Sequence, residues 1–446
     1  MSDHEPLDAH ARHRQLTYMG GAAVIVVPGV VLSRIHADLP DALLALLFGL
    51  AIIGAAFMLS WAAEVAQLDI SAGLAIAVLA FIAVLPEYAV DLVFAIKGGN
   101  AYEQFGSACQ SAADAARGLE SNCALALANM TGANRLLIGI GWTMVVFIAW
   151  WQYRKRGERI EGVQLERSHS VELAFLSLAT LYSLTLPMKS SITLIDAAIL
   201  VSIFVAYMVR ISKAPAEEPH LVGPARLVGA FPTPRRRLAV VGLFVVAAAV
   251  ILLCAEEFAH SLTETGRTFG ISEFFLVQWL APLASEAPEL LVAGLYAWRL
   301  NTNAGLGTLV SSKVNQWTLL VGTLPIAFAI ASSSLDGLPL IARQREEVFL
   351  TAAQSFFAVV VLINLSMSVR EAIVLFVLFW AQFFTGALVP DDWHGTELVL
   401  FAIAYLVLGL GVLASSRRHV GRLAHDGFRA DYAELSAGPP PGAGHG

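Results

Sequence analysis

Ala83-Val84-Leu85-Pro86-Glu87-Tyr88-Ala89-Val90-Asp91 and Ser285-Glu286-Ala287-Pro288-Glu289-Leu290-Leu291-Val292 are the two stretches that decide how this chain is read. Each sets a proline directly before a glutamate inside a long apolar run. A carboxylate in the middle of a membrane span costs about 2.5–3.5 kcal/mol on insertion scales, so its presence there points to function. The proline removes a backbone donor and weakens the helix where the carboxylate sits. Repeated at matching places in two halves of one chain, the phrase points to a duplicated transport site.

The surrounding sequence is that of a membrane protein. It is 57% hydrophobic and 14% charged, against roughly 25% charged in soluble domains, and its mean hydropathy is +0.68. The fold class expected is therefore all-α and polytopic. Runs of about 17–25 apolar residues predict helices near 18–34, 40–63, 72–97, 122–150, 170–188, 191–211, 238–262, 273–298, 303–331, 347–366, 370–388 and 396–414. The first is short and reads either as a span or as a re-entrant or tilted segment. Residues 1–17 are polar and carry no secretory cleavage pattern. Three cysteines exclude a disulfide scaffold. Cys254 lies in an apolar span and reads as packing, while Cys109 and Cys123 flank a polar loop as either a disulfide or two thiols.

With twelve crossings, Arg154-Lys155-Arg156, Arg235-Arg236-Arg237 and Arg417-Arg418 fall on one face. The positive-inside rule makes that face cytoplasmic, with both termini on it, in a multi-pass protein of the cell membrane. Segment 98–121 is then extracytoplasmic. Segment 212–237, rich in proline and charge, is a cytoplasmic linker between a first half, 18–211, and a second, 238–414. Residues 1–17 and 415–446 become cytoplasmic tails, the latter read as disordered and ending near Pro439-Pro440-Pro441-Gly442. The Pro-Glu phrases sit on the third and eighth spans. An odd number of crossings separates them, so the two repeats run through the membrane in opposite directions.

Glu87 and Asp91 are one helical turn apart, and Glu286 and Glu289 are three residues apart, so each pair shares a face. Such carboxylates can hold a hard cation or take up and release a proton; helix-end or paired structural acids are the plainer alternative. A polar element follows each pair: Ala128-Asn129-Met130-Thr131-Gly132-Ala133-Asn134-Arg135, and Gly307-Thr308-Leu309-Val310-Ser311-Ser312-Lys313-Val314-Asn315-Gln316. Their small residues serve helix packing on the bland reading. Asn129, Asn134, Lys313 and Gln316 resist it, Lys313 most, as a full charge in a span. Glu64, Glu256 and Glu257 repeat at matching places before the Pro-Glu helices, and either line an access path or cap span ends.

Paired Pro-Glu helices, each followed by a small-residue and Asn-rich helix, resemble the two alpha repeats of the cation/calcium antiporter superfamily, which includes the sodium/calcium exchangers. The resemblance covers roughly residues 40–390, with alpha repeats at 72–150 and 273–331. It implies two inverted five-helix repeats, here with one extra span at each end, and ions bound near the midplane. It also implies that Glu87 and Glu289 are the ion-coordinating, metal-binding glutamates. Ser285 and Ser312 match hydroxyl ligands, Asn134 and Lys313 fall on the Asn that follows Gly-Ser, and Gln316 falls on a further polar ligand position. A slip of two residues would pair Asn134 with Asn315 instead. Ala83 and Val84 stand where the family has Thr-Ser, Glu286 stands for a serine, and Leu137 is apolar at a ligand position. Calcium takes six to eight oxygens, and Lys313 and Arg135 would compete with it.

The implied function is secondary antiport: a cation, calcium or sodium, exchanged for protons or sodium by alternating access. A transport-inactive or sensory protein, closed by a bridge from Lys313 to Glu87 and Glu289, is the reading from another class. No nucleophile–base pair, His/Cys metal spacing or phosphate loop suggests an enzyme, and no cofactor is implied. The expected partners are Ca2+, Na+ or H+ and the lipid bilayer, with no nucleic acid.

Overall fold

The computed structural model describes residues 9–35, 39–69, 85–214, 221–390 and 393–436. Ala83, Val84, the first half of the predicted span 72–97 and the Pro439–Gly442 end lie outside the described residues. Twelve long helices carry the architecture among the described residues: α1 Ala9–Leu32, α2 Asp41–Ala66, α3 Leu85–Phe105, α4 Asn122–Lys155, α5 Ser170–Ser183 and α6 Leu194–Ile211; then α7 Thr233–Phe269, α8 Glu273–Trp298, α9 Thr302–Ser332, α10 Ala342–Val361, α11 Val369–Leu388 and α12 His394–Phe428. All but α3 and α8 meet the length and hydropathy of a membrane span. Of the two that fall short, α8 carries Glu286 and Glu289, which lower its hydropathy, and α3 is described only from Leu85 onward. The protein is thus a polytopic helical membrane protein. Large apolar side chains such as Val24, Leu238, Val245, Leu252, Val407 and Leu410 are left exposed, as lipid-facing surfaces require.

The chain divides into two compact units that do not follow the two halves of the sequence. The first comprises Met1–Ala133, Pro215–Pro288 and Ala327–Ser334; the second comprises Asn134–Ala214, Glu289–Ile326 and Leu335–Gly446. In the first, α2 packs along α7 and α1, with Phe48, Ile52, Leu59, Ile251 and Phe258 in the core. Cys254 is buried there, close to Gly29. Glu64 at the end of α2 accepts the Val222 amide at 2.8 Å, so it anchors the linker. Asp69 takes two 2.8 Å hydrogen bonds from Arg236. Cys109 and Cys123 form a disulfide, with Cα atoms 5.7 Å apart.

In the second unit α10 packs on α12 and α5. Two short antiparallel ladders interrupt the all-helical plan: β1 Gly162–Gln164 with β4 Ser366–Ser368, and β2 Ser191–Ile192 with β3 Leu338–Pro339. Helices α6 and α11 start beside them on capping boxes, Thr193 with Asp196 and Ser368 with Glu371. Counted over the described residues, the two ladders and the Arg167–Asp426 pair each join segments separated by an even number of long helices.

The structure corrects two expectations about the ends of elements. Residues 415–428 are not a disordered tail: α12 runs on to Phe428 and a further turn forms at Tyr432–Ser436. Arg167 holds Asp426 through two hydrogen bonds of 2.6 and 2.7 Å, and Arg210 donates to the Gly427 and Ala430 carbonyls. These contacts stabilise a sequence too polar for the membrane but not for the face beside it. The linker 212–237 likewise holds a helix, Pro224–Gly229, and the first turn of α7.

Candidate functional site

In the first unit the polar groups gather on α3, α4 and α8. Glu87 and Asp91 on α3 are both buried, as are Ser285 and Glu286 on α8. The Asn129 amide of α4 donates to Asp91 Oδ1 at 2.7 Å. The Ser285 hydroxyl donates to the Ala281 and Pro282 carbonyls of its own helix.

Two prolines, Pro282 and Pro288, lie inside α8. Because Pro282 has no N–H, the Gln278 carbonyl one turn earlier loses its helical donor. Gly132 of α4 lies directly against that carbonyl: a Cβ at residue 132 would fall 1.6 Å from the Gln278 oxygen. Beside it the Gln278 side chain donates to the Thr131 hydroxyl at 3.3 Å. Gly132 thus serves packing, and Gln278 is a buried polar group that the sequence reading missed. Its one signal was its place four residues before a proline.

In the second unit the polar groups come from the middle of α4, from Glu289 on α8 and from α9. Asn134, Lys313, Asn315 and Gln316 are buried, and Glu289 is partly buried. Ser312 hydrogen-bonds the Glu289 carboxyl. The Lys313 ammonium is fully enclosed and donates to Asn134 twice, to its carbonyl at 2.5 Å and its side-chain oxygen at 2.6 Å. It also lies 5.3 Å from the centre of the Trp317 ring. Two strong acceptors and an aromatic face offset much of the cost of placing a cation in a span.

Both helices carry the same irregularity. α4 widens into a π turn at Leu137–Trp142 and α9 does so at Gln316–Leu320. The first residues of these turns are 179 positions apart, which is also the separation of Asn134 and Lys313. The wide turns therefore support the register that pairs Asn134 with Lys313, rather than the slip that pairs it with Asn315. π turns are frequent at functional sites.

Arg135 does not behave as expected. Its guanidinium pairs with Glu347 of α10 at 3.1 Å and donates to Gln382 of α11, while its carbonyl accepts from Gln354 at 3.2 Å. It is held by the flanking helices, so its charge has an acid of its own. Glu347, Gln382 and Gln354 were not singled out from sequence, because one polar residue in a helix carries no signal until its neighbours are known.

The family described as sodium/calcium exchanger protein matches residues 41–213 and 239–385. The chain belongs to this family. The family is one of transporters, and its members exchange one cation for another. A solved H+/Ca2+ exchanger, CAX, is 40% identical over 92% of this chain and 97% of its own, with a TM-score of 0.82. The native structure of YfkE, 15% identical, covers 87% of this chain and 100% of its own at a TM-score of 0.55, and shares the fold. No curated protein sequence matches.

Proposed function

We propose that this member exchanges calcium for protons by alternating access, with Glu87 and Glu289 as the carboxylates that take calcium or protons in turn. The observation that carries the reading is the 40% identity, nearly end to end, with a protein described as an H+/Ca2+ exchanger. The chemistry agrees. Glutamates inside apolar helices switch between charged and neutral forms at little cost when a cation and a proton trade places. Asp91, Asn129, Ser285, Glu286, Asn134, Ser312 and Gln316 supply further oxygens or position those that bind. Lys313 acts as an internal counter-charge that limits how many cations bind together. We place both termini in the cytoplasm of the cell membrane, because the arginine-rich face is then inside and the Cys109–Cys123 disulfide lies on the oxidising side.

Purified protein in liposomes tests this reading. Vesicles made acid inside should take up calcium as protons leave, and a sodium gradient at equal pH should not drive uptake. Glu87→Gln and Glu289→Gln should each fall to the level of empty liposomes. Uptake that ignores the pH gradient and survives both substitutions would sink the proposal.

A further inference from the structure

The second unit holds a buried carboxylate that exchange at the Pro-Glu helices does not use. Glu397, in the first turn of α12, is 6% exposed, and neither of its carboxyl oxygens has a hydrogen-bond partner among the described residues. Gln382 lies beside it and accepts from Arg135 through its oxygen. Glu397 also lines a cavity of about 420 Å3 with Thr385, Pro390, Trp393, Thr396 and Leu400. The charged groups that face it are Arg135, which attracts its carboxylate, and Glu347, which repels it. The Tyr405 phenol, buried on the same helix, also faces Arg135.

An ionised carboxylate away from water needs a cation of its own. The guanidinium whose charge attracts Glu397 is already paired with Glu347 at 3.1 Å, and the Glu397 oxygens hold no hydrogen bond of their own among the described residues. We propose that Glu397 is a second proton-binding site, filled from the cavity beside Pro390 and Trp393 and separate from the Pro-Glu carboxylates. One proton bound there leaves Arg135 to Glu347. Its loss draws Arg135 toward two carboxylates at once. Arg135 directly follows Asn134, whose two oxygens hold Lys313, so Glu397 is a positioning residue for the Asn134–Lys313 pair. This site goes beyond the exchange reading and stands whether or not its proton is transported.

Infrared spectroscopy of the purified full-length protein, titrated through neutral pH, reads the carbonyl stretch of buried protonated carboxyl groups. The wild type should show a component that Glu397→Gln lacks and that Glu87→Gln and Glu289→Gln keep. Glu347→Gln should lose the same component although Glu397 is present, because Arg135 is then free to ionise it; a merely structural contact gives no such loss. In liposomes Glu397→Gln should shift the pH profile of calcium uptake by about one unit while its rate at the optimum stays within about twofold. If Glu397→Gln does not fold, Glu347→Gln alone decides. A component that survives either substitution overturns the proposal. Absent calcium exchange with this spectrum intact overturns only the exchange reading.

Discussion

At the scale of single residues, the close approach of α4 to α8 makes a sharp demand. Gly132 lies against the Gln278 carbonyl, and any Cβ there must push the backbones apart. Gly132→Ala should cost about 1–3 kcal/mol, the usual range for overpacking, seen as a lower melting midpoint in detergent. Lys313 makes the opposite kind of prediction. If Lys313 is the counter-charge proposed above, a like charge about 4–8 Å from a bound cation costs about 2–4 kcal/mol at an effective dielectric near 20. Lys313→Asn should therefore tighten calcium binding by about tenfold or more, read by calorimetry, whereas a purely structural lysine would only lower stability. The Pro-Glu glutamates and Lys313 stood out in the sequence because acids and bases in apolar runs are anomalies whatever surrounds them. Gln278, Glu347 and Glu397 did not, since their meaning comes from partners on other helices.

At the scale of elements, hydropathy sees only the part of a helix that lipid covers. Helix α7 has 37 residues and spans about 55 Å, nearly twice the hydrocarbon thickness. Its arginine-rich start reaches the loop after α2, where Asp69 receives Arg236 and Arg237. The hydrogen bond from Arg236, with Arg237 beside it, holds the Asp69 carboxyl below the usual carboxylate range. Since the folded form titrates below the unfolded one, the pairing stabilises fully above the ordinary value near 4. It is lost as pH falls through the lower, folded value. Asp69→Asn should thus be less stable than wild type at neutral pH, and the two should converge in strong acid. The disulfide offers a second check. It closes a loop with a separation of 14 residues, which the chain-entropy estimate values at about 3 kcal/mol. Reduction, or a Cys109→Ser/Cys123→Ser double variant, should lower the melting midpoint accordingly.

At the scale of the whole molecule, the polytopic helical class and the family were legible, because they follow from long-range hydropathy and a repeated phrase; of the twelve expected spans, ten meet the length and hydropathy of a crossing among the described residues. The two compact units were not. They divide inside α4, α8 and α9, and no composition change marks a boundary that is set by packing alone. The tail was misread for a related reason: polar sequence after a last span looks unstructured until α5 and α6 provide surfaces for it. Truncation after residue 414 should lower thermal stability by about 2–3 kcal/mol, the scale of losing several hydrogen bonds to charged groups.

The wide turns at Leu137–Trp142 and Gln316–Leu320 bear on history as well as geometry. Each accommodates an extra residue in a helix, and on the two-repeat reading both sit at the same register. A shared irregularity of this kind is more simply inherited once than acquired twice. On that reading the two wide turns are copies of one feature, and Lys313 breaks the symmetry between them at the place where the first copy carries Asn134.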